Sequence, residues 1–129
     1  QRTIKAADFV QGMYATALNS GELITAIAFP IPKRAAYAKF KQAASRFALV
    51  GVFVAETGNG ARVAITGASN GVFRHSGLEA ALNQSFTPGA VQNIQIDAQH
   101  LNSDLHASAA YRANLIKVQT QRAVQQAIG

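Results

Sequence analysis

No cysteine occurs anywhere in the chain. Neither a disulfide frame nor an iron–sulfur or thiolate–zinc site can therefore be built from its own side chains. A chain without thiols suits a reducing cytoplasm, which is the expected location. Acids are scarce too: six, against twelve lysines and arginines, for a net charge of +6. With so few carboxylates, no pair stands out for general acid–base work. No apolar run approaches the roughly 20 residues of a membrane span, so no span is expected. The start, Gln1-Arg-Thr-Ile-Lys-Ala6, lacks both methionine and the apolar core of a signal peptide. It reads as a boundary inside a longer protein.

What is present argues for one globular domain, residues 1–129. Hydrophobic residues make up 49% of the chain and charged residues 14%, enough to bury a core. The basic charge is unevenly spread. No acid lies between Glu22 and Glu56, whereas Lys33, Arg34, Lys39, Lys41 and Arg46 do. No acid follows Asp104, whereas Arg112, Lys117 and Arg122 do. Such a surface attracts anionic partners. The charges form no dense block, and no aromatic–basic RNA motif or helix-turn-helix signature accompanies them, so nucleic acid is not the expected partner. A solvated face or an acidic protein partner is the better reading, and Lys33, Arg34 and Arg112 are its unpaired candidates.

The elements follow from periodicity and punctuation. Arg2–Lys5 alternates as a short strand would, and Asp8 or a neighbour opens a helical turn. Glu22–Phe29 is rich in β-branched and aromatic residues and is stopped by Pro30-Ile-Pro32, which predicts a strand. Ala36–Lys41 alternates, putting Tyr37, Lys39 and Lys41 on one face. Phe47–Ala55 is a near-continuous apolar run suited to a central strand. Asn59-Gly60 marks a hairpin, so Leu49–Glu56 and Ala61–Ala68 form an antiparallel pair. Gly77–Gln84 is helical by propensity, and Thr87-Pro-Gly89 ends it. Ala90–Ile96 fits a short helix or an extended link equally well. Asn102-Ser-Asp104 offers a cap for a closing helix from Ala107 to about Ile128. Its apolar stripe runs through Tyr111, Leu115, Ile116 and Val124, with Arg112, Gln119, Arg122 and Gln126 on the polar face. Strands first and helices later predict an α+β fold: a small antiparallel sheet of about three or four strands against about three helices, the last one long.

Motifs for chemistry are weak. His75, His100 and His106 have no second ligand at metal spacing, so no metal site is expected. No serine sits in a nucleophile elbow, and Asp104 beside Ser103 is better explained as a cap, so no catalytic residue is assigned. Gly58-Asn-Gly60 lies between two strands, where a tight turn explains it. Thr66–Gly71 follows a strand, as phosphate loops do, but lacks the Gly-Lys-Ser/Thr ending and the third glycine of a dinucleotide fingerprint. Lys39 and Lys41 are the residues to single out. They project beside Tyr37 either as the exposed face of a half-buried sheet or as cation donors to a ligand.

Several phrases occur together and in order: Arg2-x-Ile-x-Ala-x-Asp-Phe9, Gly21-Glu-Leu-Ile24, Tyr37-x-Lys39-Phe40, Ser45-Arg-Phe-Ala-Leu-Val-Gly-Val52, Arg62-Val-Ala-Ile-Thr-Gly-Ala68, and Asp104-Leu-His-Ala-Ser-Ala-Ala-Tyr-Arg112 running on to Arg122. The set covers nearly the whole chain and resembles the C-terminal domain of the flavoprotein (medium) subunit of molybdenum hydroxylases, the carbon monoxide and xanthine dehydrogenase family. The resemblance implies a fragment of a longer flavoprotein subunit within a multi-subunit oxidoreductase. It implies FAD held mainly by an N-terminal domain, with the molybdenum cofactor and 2Fe-2S clusters in partner subunits. The small iron–sulfur subunit and the large molybdenum subunit would be its partners. This domain would cover the flavin and help dock the iron–sulfur subunit, with Lys39 the better-placed flavin contact and Lys41 the second. Many relatives carry an acid shortly after the Tyr-x-Lys strand, whereas this chain has Ser45-Arg46, so individual contacts there need not carry over. The rival from another class is a freestanding interaction or dimerisation module with no redox role.

Overall fold

In the computed structural model, which describes residues 1–129, the chain opens with one helical turn, α1 (Ala6–Phe9). A two-stranded ribbon follows, β1 (Val10–Gly12) with β2 (Ala15–Thr16). Then β3 (Arg34–Lys41), β4 (Ala48–Thr57), β5 (Gly60–Thr66) and β6 (Phe73–Arg74) build a four-stranded antiparallel sheet in sequence order. Helix α2 (Ser76–Gln84), a 3-10 turn (Pro88–Val91) and the long α3 (Ala109–Ile128) complete the chain. The α+β expectation holds, with α3 packed across β3 and β4 and α2 against β5.

Alternation in the strands decides which face is covered. Val50, Val52 and Val54 of β4 and Val63 and Ile65 of β5 point inward and are fully buried against Leu78 of α2 and Ile116 and Val124 of α3. The opposite rows are left open, because no helix crosses that side. In register across the sheet these are Tyr37–Phe53–Ala64 and Lys39–Gly51–Thr66. The hairpin joins where expected, but its two-residue loop is Gly58-Asn59, with Thr57 pairing Gly60.

The open edge of β5 is closed by side chains rather than by a full strand. β6 pairs only with Ala64 and Ile65. Beyond it, Glu79 Oε1 accepts the Val63 N–H at 3.0 Å and Asn83 Oδ1 accepts the Ala61 N–H at 2.7 Å. Residues i and i+4 of α2 thus satisfy alternate amides of one strand, which blunts an edge that would otherwise invite foreign pairing. Arg74 completes the arrangement with two hydrogen bonds to Glu79, at 2.7 and 2.5 Å. Burial alone would raise the Glu79 pKa, but the Arg74 and Val63 donors outweigh it and hold the carboxyl below its ordinary value. A depressed folded-state pKa contributes stability above the unfolded pKa, and that stability is lost as pH falls through the folded value. Glu79→Gln is therefore expected to cost about 1–2 kcal/mol at pH 7. It should also flatten the fall in urea midpoint below about pH 4.3, the ordinary glutamate value. An unchanged acid limb in the variant would contradict this assignment.

Four expectations are corrected. Arg2–Lys5 is no strand; the Arg2 guanidinium instead binds Glu22 and the Ala17 carbonyl, and no strand pairs with the backbone. Glu22–Phe29 forms no strand, since no other segment of the chain pairs with its backbone beyond Glu22. The closing helix starts at Ala109 because Ser108 Oγ accepts the Tyr111 N–H at 3.2 Å and caps it; Asp104 folds the preceding turn. Finally, Arg112 and Gln119 are buried, not part of an outer polar face; Arg122 and Gln126 are exposed as expected. The segment left open, Ala90–Ile96, begins inside the Pro88–Val91 turn.

Candidate functional site

The uncovered face of the sheet is where candidate residues gather. β3 delivers Tyr37 and Lys39 to it, β4 delivers Gly51 and Phe53, and β5 delivers Thr66. Gly51 explains the local shape. A Cβ built there would lie 2.2 Å from the Tyr37 hydroxyl and 2.6 Å from Thr66 Oγ1. The tyrosine ring therefore lies down across β4 instead of standing off the sheet, and its hydroxyl reaches Thr66 Oγ1 at 3.4 Å. The result is a flat aromatic floor, with Phe53 beside Tyr37 in register.

Charge surrounds this floor on one side. Lys39 Nζ donates to the Arg46 carbonyl at 3.3 Å, which ties the strand to the turn of residues 42–47. Arg46 adopts a positive φ of 60°, and the turn is closed by Gln42 and Phe47 backbone hydrogen bonds and by Ser45 Oγ donating to Gln42 Oε1 at 3.0 Å. Phe47 projects from it, 77% exposed. The register slips between Phe40 and Lys41, so Lys41 pairs with Ala48 at the lip of the turn. Lys39 and Lys41 thus lie on one strand as expected, but only Lys39 stands in the row with Gly51 and Thr66. Four of the six acids are consumed by arginines: Glu22 by Arg2, Glu56 by Arg34, Glu79 by Arg74 and Asp104 by Arg112. Lys39, Lys41 and Arg46 have no such partner, so the lip of this face beside the turn of residues 42–47 is positive; Lys5, Lys33, Arg62, Lys117 and Arg122 are unpaired elsewhere. Arg34 and Arg112, read from sequence as free for docking, are engaged: Arg34 binds Glu56 and stacks 5.2 Å over the Phe86 ring, and Arg112 is buried.

A second concavity, about 430 Å³, lies between the β1 ribbon and the loops of residues 69–73 and 96–101. His75, Asp97 and His100 line it, but they do not converge on one another. His75 Nδ1 accepts the Leu78 N–H at 3.1 Å and caps α2, and Asp97 accepts the Gln99 N–H at 2.9 Å. No three His, Cys, Asp or Glu side chains meet in a geometry for metal. No helix is long and apolar enough to cross a membrane. Sequence reasoning missed the histidine cap, because His is an uncommon cap residue. It also missed Gly51 and Thr66, whose role appears only once strand register is known.

Fold and site define an α+β domain whose helix-backed antiparallel sheet offers an aromatic, basic outer face. Comparison with known proteins gives the family. The model of the CO dehydrogenase flavoprotein C-terminal domain matches residues 35–127, and the chain belongs to that family. The carbon monoxide dehydrogenase medium chain of Afipia carboxidovorans is 28% identical over 138 residues. The nicotine 6-hydroxylase medium subunit of Paenarthrobacter nicotinovorans is 30% identical over 137. Both alignments cover 98% of this chain and 48% of the relative, so the chain spans about half the length of these proteins. Among solved structures, reconstituted CO dehydrogenase from Oligotropha carboxidovorans superposes with a TM-score of 0.77 at 27% identity. Quinoline 2-oxidoreductase from Pseudomonas putida 86 does so at 0.75 and 25%. Each match again covers 98% of this chain and 48% of the other.

Proposed function

We propose that residues 1–129 belong to the FAD-containing medium subunit of a cytoplasmic molybdenum hydroxylase, where the open sheet face covers the flavin and its basic rim helps dock the iron–sulfur subunit. The observation that carries this reading is the flat Tyr37–Gly51–Thr66 floor beside Lys39 in a chain of this family.

The residues suit one part of FAD and not another. The floor accepts a planar ring, and the Lys39 ammonium spends one contact on Arg46, leaving donors for oxygens or nitrogens at a ring edge. Nothing here is built for a pyrophosphate, because Thr66–Gly71 ends a strand without a phosphate-loop signature. FAD, when bound, supplies the electron-accepting ring. This chain's contribution is to cover that ring, exclude water from its face and set a positive charge at its edge. Lys41 and Arg46 extend the positive field toward an acidic partner surface, with the molybdenum subunit completing the assembly.

Two measurements test the reading. The 129-residue chain purified alone should carry no flavin, and stoichiometric tight flavin in it would overturn the division of labour. In the flavin-loaded subunit, Lys39→Met should lower the flavin midpoint potential by about 20–40 mV, the effect of about 1–2 kcal/mol on a two-electron couple. An unchanged potential would remove Lys39 from the site.

A further inference from the structure

Between Glu22 and Lys33 the chain forms no helix, strand or turn, and its backbone makes no hydrogen bond within the molecule. Its side chains form two apolar rows. Strand alternation puts Leu23, Thr25, Ile27 and Phe29 on one side and Ile24, Ala26 and Ala28 on the other. Leu23, Phe29 and Ile31 are 85%, 81% and 95% exposed. Unmet amides and carbonyls together with apolar rows on both faces describe a strand made to be paired at its edges and covered on both sides.

The comparisons indicate what covers it. The match to the family's C-terminal domain begins at residue 35, yet the relatives align with 98% of the chain. The exposed segment therefore lies outside the matched stretch but aligns with the relatives, which are about twice this length. We infer that Leu23–Phe29 is a strand of a β-sheet whose other strands belong to the flavin-binding half of the medium subunit. This rests on the function proposed above. A second copy of the chain is a poor occupant: two such strands would make a ribbon with both faces still in water, below the size that sustains itself. The net charge of +6 also opposes self-association.

The placement has a consequence for the site. Lys33 N–H donates to the Glu56 carbonyl at 2.7 Å and Arg34 binds the Glu56 carboxylate, so the strand is clamped to β4 shortly after it ends. Pro30 and Pro32 restrict the short connector. Insertion of the strand into the neighbouring sheet would thereby fix where Tyr37 and Lys39 stand relative to a flavin held in that half. The strand is a positioning element for the lid.

Hydrogen exchange tests this on the medium subunit and on the 129-residue chain. Amides from Ile24 to Phe29 should exchange at nearly the free rate in the chain alone and about 100-fold or more slowly in the subunit, as paired strand interiors do. Ile27→Pro, which removes one amide, should leave the thermal midpoint of the chain unchanged but lower flavin occupancy of the subunit, while Ile27→Val should match wild type. Free exchange in a flavin-loaded subunit would overturn the inference and leave the functional reading standing. A protected segment in a subunit that takes up no flavin would do the reverse. Protection in the isolated chain that grows with concentration would make a second copy the occupant and likewise overturn the inference.

Discussion

Arg112→Met is expected to lower the unfolding free energy by about 3–4 kcal/mol, the range for opening a buried, charge-assisted hydrogen-bond cluster. Arg112 is 2% exposed. Its Nη1 donates to the carbonyls of Leu49 at 2.8 Å and Gly67 at 3.1 Å, and Nη2 donates to Asp104 at 2.7 Å. One side chain on α3 thus joins the start of β4, the end of β5 and the loop before the helix. Replacing a buried ion pair with apolar groups can be neutral when both partners are removed, but here two acceptors are backbone carbonyls and remain. Methionine fills the volume and leaves them orphaned. Arg112→Lys should recover only part of the loss, because an ammonium cannot present the planar fork that reaches three acceptors. Asp104→Asn should be milder than Arg112→Met, because solvent screens that carboxylate. That carboxylate is half in water, and its pKa is lowered first by the His106 N–H, against an opposing burial effect, with Ala107 and Arg112 adding to the lowering. Urea unfolding at pH 7, with the slope checked for constancy, measures all three. A loss below about 1 kcal/mol for Arg112→Met would show that the cluster is incidental.

The same arginine marks the limit of reading this chain as a pattern. Strands β3, β4 and β5 were legible because period-two alternation and a glycine-rich turn report burial directly, and the α+β layering follows from their order. Periodicity assigns polar residues to water, so it sent Arg112 and Gln119 to the outer face of α3. Arg112 is buried because acceptors distant in sequence, the Leu49 and Gly67 carbonyls, receive it, which no helical wheel displays. Glu22–Phe29 failed in the opposite sense. Its strand chemistry is clear, but pairing requires a partner that this chain does not supply. The candidate site was half legible. Alternation put Tyr37 and Lys39 together, whereas the floor that Gly51 opens and Thr66 completes needed the register of three strands.

Two glycines in this sheet separate a structural need from a functional one. Gly67→Ala is expected to cost about 2–5 kcal/mol. Its φ is +75°, a region costing a side-chain-bearing residue about 1–2 kcal/mol. The added methyl would also meet the Ala48 carbonyl oxygen at 2.3 Å. That obstacle is backbone in the strand next door, so β4 and β5 must part before it is relieved. Because Gly67 also accepts Arg112, the double variant with Arg112→Met should cost less than the sum, by about 1 kcal/mol or more, as residues sharing one contact do. Gly51→Ala presents a nominally closer clash, 2.2 Å, but with side-chain atoms only: the tip of a half-exposed tyrosine that can swing into solvent and, at 2.6 Å, a Thr66 hydroxyl that can rotate away. It should lower stability by no more than about 1 kcal/mol while breaking the Tyr37–Thr66 contact and roughening the floor. Thermal and urea unfolding should thus rank Gly67→Ala well below Gly51→Ala, and flavin affinity in the full subunit should rank Gly51→Ala below wild type. Equal stability losses at the two glycines would mean that Tyr37 is held in place by more than its hydroxyl. Unaltered flavin binding in Gly51→Ala would mean that the open face of the sheet does not meet the ring.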